Sequence, residues 1–108
     1  MKTEQPILIT SIKATASLTK NLFVGFDGAH CAGSAKALGV CNADTDLNEQ
    51  APITCRGIAI VKTSASISLG ASVYSSAAGL AAASGTIVEG YALDASSGSD
   101  ELIRVLLV

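Results

Sequence analysis

The residue types most able to do chemistry in this sequence are one histidine and three cysteines. His30 adjoins Cys31, Cys41 lies ten residues further on, and Cys55 another fourteen. Structural zinc sites use ligand pairs two to four residues apart, because each pair chelates the metal from one tight loop. No pair here has that spacing, so we predict no metal site and treat the cysteines as small buried hydrophobes.

Nucleophilic catalysis has no better support. Adjacent residues of an extended segment point in opposite directions, so His30 is badly placed to activate Cys31, and nothing favours Cys41 or Cys55. The sequence has no GxSxG, GxGxxG or GxxxxGK motif. In its acidic stretch 42–49 the central Gly and the terminal bidentate Glu of a calcium loop are not at the required positions, which indicates a solvated loop. We therefore predict no enzyme, no catalytic residues and no cofactor.

The composition excludes several classes of partner and predicts a thin core. The chain has 108 residues, 15% of them charged, and a net charge of −2, so it offers no basic surface to nucleic acid or to an anionic membrane. No apolar run approaches the roughly 20 residues that cross a bilayer, and the odd cysteine count indicates reduced thiols and intracellular synthesis. Eighteen Ala and only four aromatic residues bury little area, which favours oligomerisation or docking on a larger body.

The elements that must position these residues are short strands. Glycines recur about every dozen residues or fewer between β-branched runs, a pattern typical of an all-β sandwich or barrel. We predict a mainly β fold, a small single-domain β-barrel or β-sandwich with at most one or two short helical turns. The predicted strands are 6–12, 22–26, 37–41, 52–61, 66–69, 72–74, 87–93 and 102–108. The aromatic residues, interpreted as core anchors, are Phe23, Phe26, Tyr74 and Tyr91.

Three local features refine this prediction. Gly57, in the middle of strand 52–61, indicates a bulge or bend. The segment around Ala78 and Gly79 favours a hairpin turn over a helix, because glycines interrupt the alanine run. One short helix is predicted over 43–50, with Asp44 or Thr45 as its N-cap.

The two ends of the chain stand apart. Residues 1–12 are predicted to form an N-terminal arm or an edge strand, and residues 13–108 a compact β domain. The final segment, 102–108, is nearly continuously apolar, so both of its faces are expected to be covered, in part by another subunit. Arg104 shares a face with Leu102 and Leu106 by the two-residue period, and it needs a carboxylate partner or a route to solvent.

The order of several segments resembles the small capsid cement, or head decoration, proteins of tailed bacteriophages and prophages. The segments are 21–28 (NLFVGFDG), 37–41 (ALGVC), 49–54 (EQAPIT), 56–59 (RGIA), 68–75 (SLGASVYS), 90–95 (GYALDA) and 97–105 (SGSDELIRV). The resemblance covers nearly the whole chain. It implies an outer-surface protein of an icosahedral head, often oligomeric on local threefold positions, with no catalytic residues. Family members commonly carry a longer insertion where this chain has only 76–86, so this is a compact member.

Together these arguments predict a structural virion protein that binds the outer surface of a phage head and stabilises the capsid. The expected partners are the major capsid protein and further copies of the chain, as a homotrimer, with synthesis in the bacterial host cytoplasm. The alternative is a phage tail or bacterial surface β module that mediates protein–protein interaction. The predicted capsid-binding residues are Lys2, Thr3, Glu4, Gln5, Pro6, Ile7, Leu8 and Ile9. The predicted oligomer-interface residues are Leu102, Arg104, Leu106 and Val108.

Overall fold

All regular structure in the computed structural model, which describes residues 3–31 and 35–107, is β. This confirms the predicted mainly β class. No helix occurs in these two ranges, and none there is long and apolar enough to cross a membrane. The eight strands are β1 Gln5–Lys13, β2 Phe23–Gly25, β3 Ala37–Cys41, β4 Gln50–Lys62, β5 Ser72–Ser75, β6 Ala81–Ala82, β7 Val88–Ala92 and β8 Leu102–Leu107.

Seven of the strands curl into a nearly closed antiparallel barrel. Their order in the sheet is β2-β3-β4-β8-β7-β5-β6. The two ends of this order approach each other where the Phe23 N–H donates to the Gly79 carbonyl at 2.7 Å. An isolated bridge between Thr63 and Ala81 further links the end of β4 to β6. The predicted barrel is therefore confirmed, and β1 lies outside it, paired only with β4.

The long strand β4 connects the barrel to β1. Ile53 and Thr54 pair with both β1 and β3, and Gly57 and Ile58 pair with both β1 and β8. Since a strand has two edges, β1 occupies one edge of β4, and β3 and β8 share the other. This arrangement leaves β1 on the rim of the sheet.

Two clusters of buried side chains stabilise the fold, and both are built mainly from small residues. The larger fills the barrel: Phe23, Cys31, Ala37, Val40, Ala59, Val61, Ile67, Val73, Ala81, Ala92, Ile103, Val105 and Leu107. The smaller lies beside it and includes Ala14, Leu18, Val24, Cys41, Ala51 and Ile53. Because β4 contributes residues to both clusters, it holds the two halves of the domain together.

The structure corrects two predicted elements. The helix expected over 43–50 is absent, because this segment forms hydrogen bonds with residues 14–20. Thr45 pairs with Leu18 through the backbone, and the side-chain carboxylate of Asp44 accepts the Lys20 N–H at 2.8 Å. The strand expected over 66–69 is also wrong, since only an isolated bridge from Ile67 occurs there. A short strand, β6, forms in the alanine run instead and completes the predicted hairpin.

The aromatic residues do not all serve as core anchors. Phe23 is fully buried, whereas the side chain of Phe26 is 67% exposed and that of Tyr91 is 43% exposed. Phe26 follows β2 in a turn, and Tyr91 lies on the outward side of β7. These two rings are available on the surface.

Candidate functional site

The most exposed apolar segment of the described chain is β1. Ile7, Leu8 and Ile9 are 84%, 52% and 45% exposed. β4 hydrogen-bonds to one edge of β1, and no other described strand pairs with it, so its second edge is open. Open apolar strand edges are templates for pairing with another chain. Of the eight predicted capsid-binding residues, Lys2 lies outside the described residues, and the others form β1 or directly precede it.

Gly57 allows β1 to lie close to β4. Its φ of +102° is in the region that favours glycine. A Cβ atom at this position would collide with the Gln5 carbonyl oxygen and lie 2.7 Å from the Ile7 nitrogen. The register also shifts on either side of Leu8. The predicted irregularity at Gly57 is therefore present, and it sets how the apolar part of β1 is presented.

A second apolar surface covers the outward side of the barrel wall. In the register of β4, β8 and β7, Ile58 lies beside Leu106, and Leu106 beside Tyr91. Ile60 pairs with Arg104 and Lys62 with Leu102 in the neighbouring positions. We call this surface the outer patch, and it consists of Ile58, Ile60, Tyr91, Leu102, Arg104 and Leu106.

Within one chain the outer patch leaves one face of the last strand uncovered, and the expected cover of that face by another subunit stays a prediction. Burial alternates along β8: Ile103, Val105 and Leu107 point into the barrel. Leu102 and Leu106 are more than 40% exposed on the other face. Val108 lies outside the described residues. Within one chain the outward face of β8 is thus open.

Arg104 finds the carboxylate that the sequence required. Its Nε and Nη2 atoms donate to the two oxygens of Asp94 at 3.0 and 3.1 Å, and its backbone N–H donates to Oδ2 at 3.0 Å. The hydrogen bond to Asp94 raises the pKa of Arg104 above its ordinary value. The pair places a fixed, locally neutralised polar group in the middle of the apolar outer patch.

A groove of about 400 Å³ links the start of β1 to the outer patch. Thr3 and Glu4 line one part of it, and Ile60 and Leu102 line another. Two predicted capsid-binding residues and one predicted oligomer-interface residue therefore lie together. Sequence reasoning had treated these sets as separate surfaces at opposite ends of the chain.

A further groove of about 360 Å³ lies beside β1, and we call it the β1 groove. Its floor and walls combine apolar side chains with two cations. The lining residues are Leu8, Thr10, Phe26, Lys36, Ala37, Leu38, Cys55 and Arg56.

Glu89 fixes one side of the β1 groove from inside the protein. Its side chain is 1% exposed and accepts the Ala37 N–H at 3.1 and 3.0 Å and the Lys36 ammonium at 2.8 Å. These contacts tie β7 to the start of β3. They also hold the Lys36 side chain, which stays 42% exposed, at the wall of the groove.

The residues first considered for catalysis or metal binding are engaged in structural contacts. His30 accepts the Thr19 N–H through Nε2 at 3.2 Å. Cys31 and Cys41 are buried, Cys55 is half-buried, and none forms a disulfide. Burial raises the pKa of the Cys31 thiol, which keeps it protonated. Across residues 3–31 and 35–107, no three His, Cys, Asp or Glu side chains form a group suited to a metal ion.

Sequence reasoning missed several surface residues. Ile58, Ile60 and Tyr91 are outward positions of predicted strands, so the two-residue period could have found them. Phe26 directly precedes the Asp27–Gly28 turn, and large apolar residues in turns are commonly exposed. The sequence contained no pattern that singled out Arg56, because its place in the β1 groove depends on where β1 lies.

The comparisons with known proteins agree with this geometry. A family model described as phage cement protein matches residues 1–107. The solved structure of the head fiber gp8.5 N base of bacteriophage phi29 is similar in fold, with a TM-score of 0.75, 17% identity and coverage of 94% of this chain and 93% of that one. No curated protein sequence is significantly similar. Because the family model spans nearly all of the sequence, the resemblance noted from its segments is confirmed, and the chain belongs to the phage cement protein family.

Proposed function

We propose that this chain is a decoration protein that binds the outer surface of a phage head as a homotrimer and stabilises the shell. Its family supports a structural role in a phage particle. The single observation that carries the proposal is β1, a nine-residue edge strand with exposed apolar side chains and an open edge. The second edge of this strand has no partner among the described strands of one chain. A strand of a shell protein can pair with that edge.

Attachment is assigned to the segment from Lys2 to Ile9. Strand addition supplies affinity through main-chain hydrogen bonds and specificity through alternate side chains. Ile7 and Ile9 are both exposed side chains of β1, at 84% and 45%. They are suited to contact the major capsid protein on the outside of the head. The chain would be made in the host cytoplasm and carried on the virion.

Self-association is assigned to the outer patch, to which β8 contributes Leu102, Arg104 and Leu106, and to Val108, which lies outside the described residues. The patch offers apolar side chains around a neutralised ion pair. Packing against a second copy would remove the exposed leucines from water. Linked copies on one shell would also bind more tightly than single ones, because several weak contacts act together.

The experiment uses undecorated heads of the phage that encodes this chain. Deleting the arm would be ambiguous, because Thr3 and Glu4 share a groove with Leu102. We therefore substitute Ile7→Ser and Ile9→Ser together, with Leu69→Ser, at a residue 70% exposed, as the matched control. The double variant should keep the oligomeric mass of the wild type and lose head occupancy and protection against heating, while the control decorates normally.

Full decoration by the double variant would reject β1 as the anchor and favour the loop over 42–50. Copy number tests the broader role. Intensity-based mass spectrometry of purified virions should count hundreds of copies per particle. A handful of copies would support the tail-module alternative instead.

A further inference from the structure

The β1 groove has an uneven chemistry that strand pairing alone does not explain. Its eight lining residues include the cations Lys36 and Arg56 and no carboxylate, although the chain as a whole carries a net charge of −2. The remaining lining is mostly apolar. A groove of this kind, at the small end of ligand-binding sites in volume, suits a group that is partly apolar and partly anionic.

The two cations are not equivalent. Glu89 already neutralises Lys36 across 2.8 Å. Arg56 is exposed, and within the described part of the chain it makes no ion pair. It lies directly opposite Leu8 in the β1–β4 register. Arg56 is therefore the side chain of the groove with capacity for an incoming carboxylate, which a guanidinium binds through two parallel hydrogen bonds.

The apolar part of the groove is open as well. Phe26 is 67% exposed and Leu8 52% exposed, and Leu38 and Cys55 are half-buried beside them. Exposed large apolar side chains that border one concave surface mark an interaction site. The groove lies on the face of the sheet that β1, β4 and β3 share, with Leu8 and Thr10 as its β1 residues, so side chains of a segment added at the open edge of β1 can reach it across β1.

We propose that the β1 groove receives an apolar side chain and a nearby carboxylate from an extended segment of the shell protein that pairs with the open edge of β1. The proposal rests on the proposed head-binding function and specifies its partner's chemistry. In an extended segment, residues two apart face the same side. The expected recognition element is therefore an aliphatic or aromatic residue followed or preceded, two positions away, by Asp or Glu.

A protein segment fits the groove better than a nucleic acid. Nucleic-acid affinity comes from many cations that contact successive phosphates, and single-stranded nucleic acid also stacks on several aromatic rings. The groove has one available cation and one aromatic ring. A single carboxylate beside an apolar side chain matches this composition.

The test titrates undecorated heads with the full-length protein and with charge-reversed variants. Arg56→Glu should raise the half-saturation concentration by at least about tenfold, because it replaces an attractive charge contact with a repulsive one. Phe26→Ser should also weaken binding. Leu69→Glu is the control, since Leu69 is 70% exposed and lies outside β1 and the β1 groove, and it should bind within about twofold of the wild type.

A second readout protects the test against a folding defect. Arg56→Gln should bind more weakly than the wild type at about 50 mM salt, and the difference should shrink at about 500 mM, where screening removes the contribution of the charge. Circular dichroism and oligomeric mass identify variants that are folded.

Three outcomes would overturn a claim, and they are distinguishable. Wild-type binding by both Arg56 variants rejects the groove contact and leaves head binding intact. If a single-stranded 20-nucleotide DNA displaces the protein from heads, the groove binds a polyanion and not a protein segment. Failure of the wild type to bind heads rejects the proposed function itself.

Discussion

At the scale of single residues, Glu89 is the most consequential side chain that the sequence analysis did not single out. It is a carboxylate buried to 1% exposure in an apolar strand, with hydrogen bonds to the Ala37 N–H and an ion pair to Lys36. Buried charges are tolerated when they are paired and hydrogen-bonded. Glu89 therefore acts as an internal clamp between β7 and the start of β3.

Substituting Glu89→Gln should destabilise the fold by about 1–3 kcal/mol. The amide keeps one acceptor but turns its NH2 group toward other donors, so a buried polar group loses its partner. Urea unfolding measures the effect. Glu49→Gln, at an exposed carboxylate, is the control and should change stability by less than about 0.5 kcal/mol. Equal stability of the two variants would show that the clamp contributes nothing.

Single residues were predictable from the sequence where the reason is local. The need of Arg104 for a carboxylate followed from its place in an apolar strand, and Asp94 meets it. The burial of Glu89 was not predictable, because its partners Lys36 and Ala37 lie more than fifty residues away in the chain. A solitary Glu in strand 87–93 was the available signal.

At the scale of elements, the junction of β1 with β4 depends on one glycine. Gly57 combines a positive φ with backbone approach from Gln5 and Ile7. Gly70 has a similar φ of +79° but nothing within 4 Å of its hypothetical Cβ atom. Substitutions at Gly57 and Gly70 can therefore be compared to separate the cost of backbone strain from the cost of steric collision.

Gly57→Ala should cost about 2 kcal/mol or more and loosen β1, whereas Gly70→Ala should cost only the left-handed strain of about 1 kcal/mol. Hydrogen exchange of the β1 amides, measured with urea unfolding of both variants, checks the prediction. Faster exchange confined to β1 in the Gly57 variant is the expected pattern. Unchanged exchange would mean that β1 tolerates a methyl group at this position.

The strands were predictable where apolar and β-branched residues form a long run, as in β4 and β8. They were not predictable where tertiary hydrogen bonds override local preference. Residues 43–49 have helix-capping side chains, yet Asp44 bonds to Lys20 instead. The alanine run also has helical propensity, but there the interrupting glycines correctly predicted the hairpin in which Ala81 and Ala82 pair with β5.

At the scale of the whole molecule, the barrel presents two apolar surfaces joined by a groove. β1 lies on the rim, and the outer patch covers the wall formed by β4, β8 and β7. Thr3, Glu4 and Leu102 in one groove make these surfaces neighbours. Composition predicted that a thin core would need further burial, but only the fold shows where that burial is available.

Leu106→Glu should convert the proposed homotrimer to a folded monomer of 10.8 kDa. The side chain is 43% exposed in one chain, so the substitution spares the core and places a charge within the proposed subunit interface. Sedimentation velocity measures the mass, and circular dichroism checks the fold. Leu69→Glu is the control and should retain the oligomer. An unchanged mass for Leu106→Glu would exclude the outer patch as the interface.

The pairing of β4 with β8 has a consequence for how the chain folds as it is made. Gly57 meets Leu107 about fifty residues later in the sequence, and the second half of β4 has no other partner in the sheet on that edge. The ribosome must therefore release β8 before the barrel can close, and pairings this distant in sequence form slowly. Until then β1, β2, β3 and β4 can form only part of the sheet, in which the second half of β4 lacks its β8 partner. An unpaired strand edge of this kind makes a folding intermediate prone to aggregation when many copies are synthesised together.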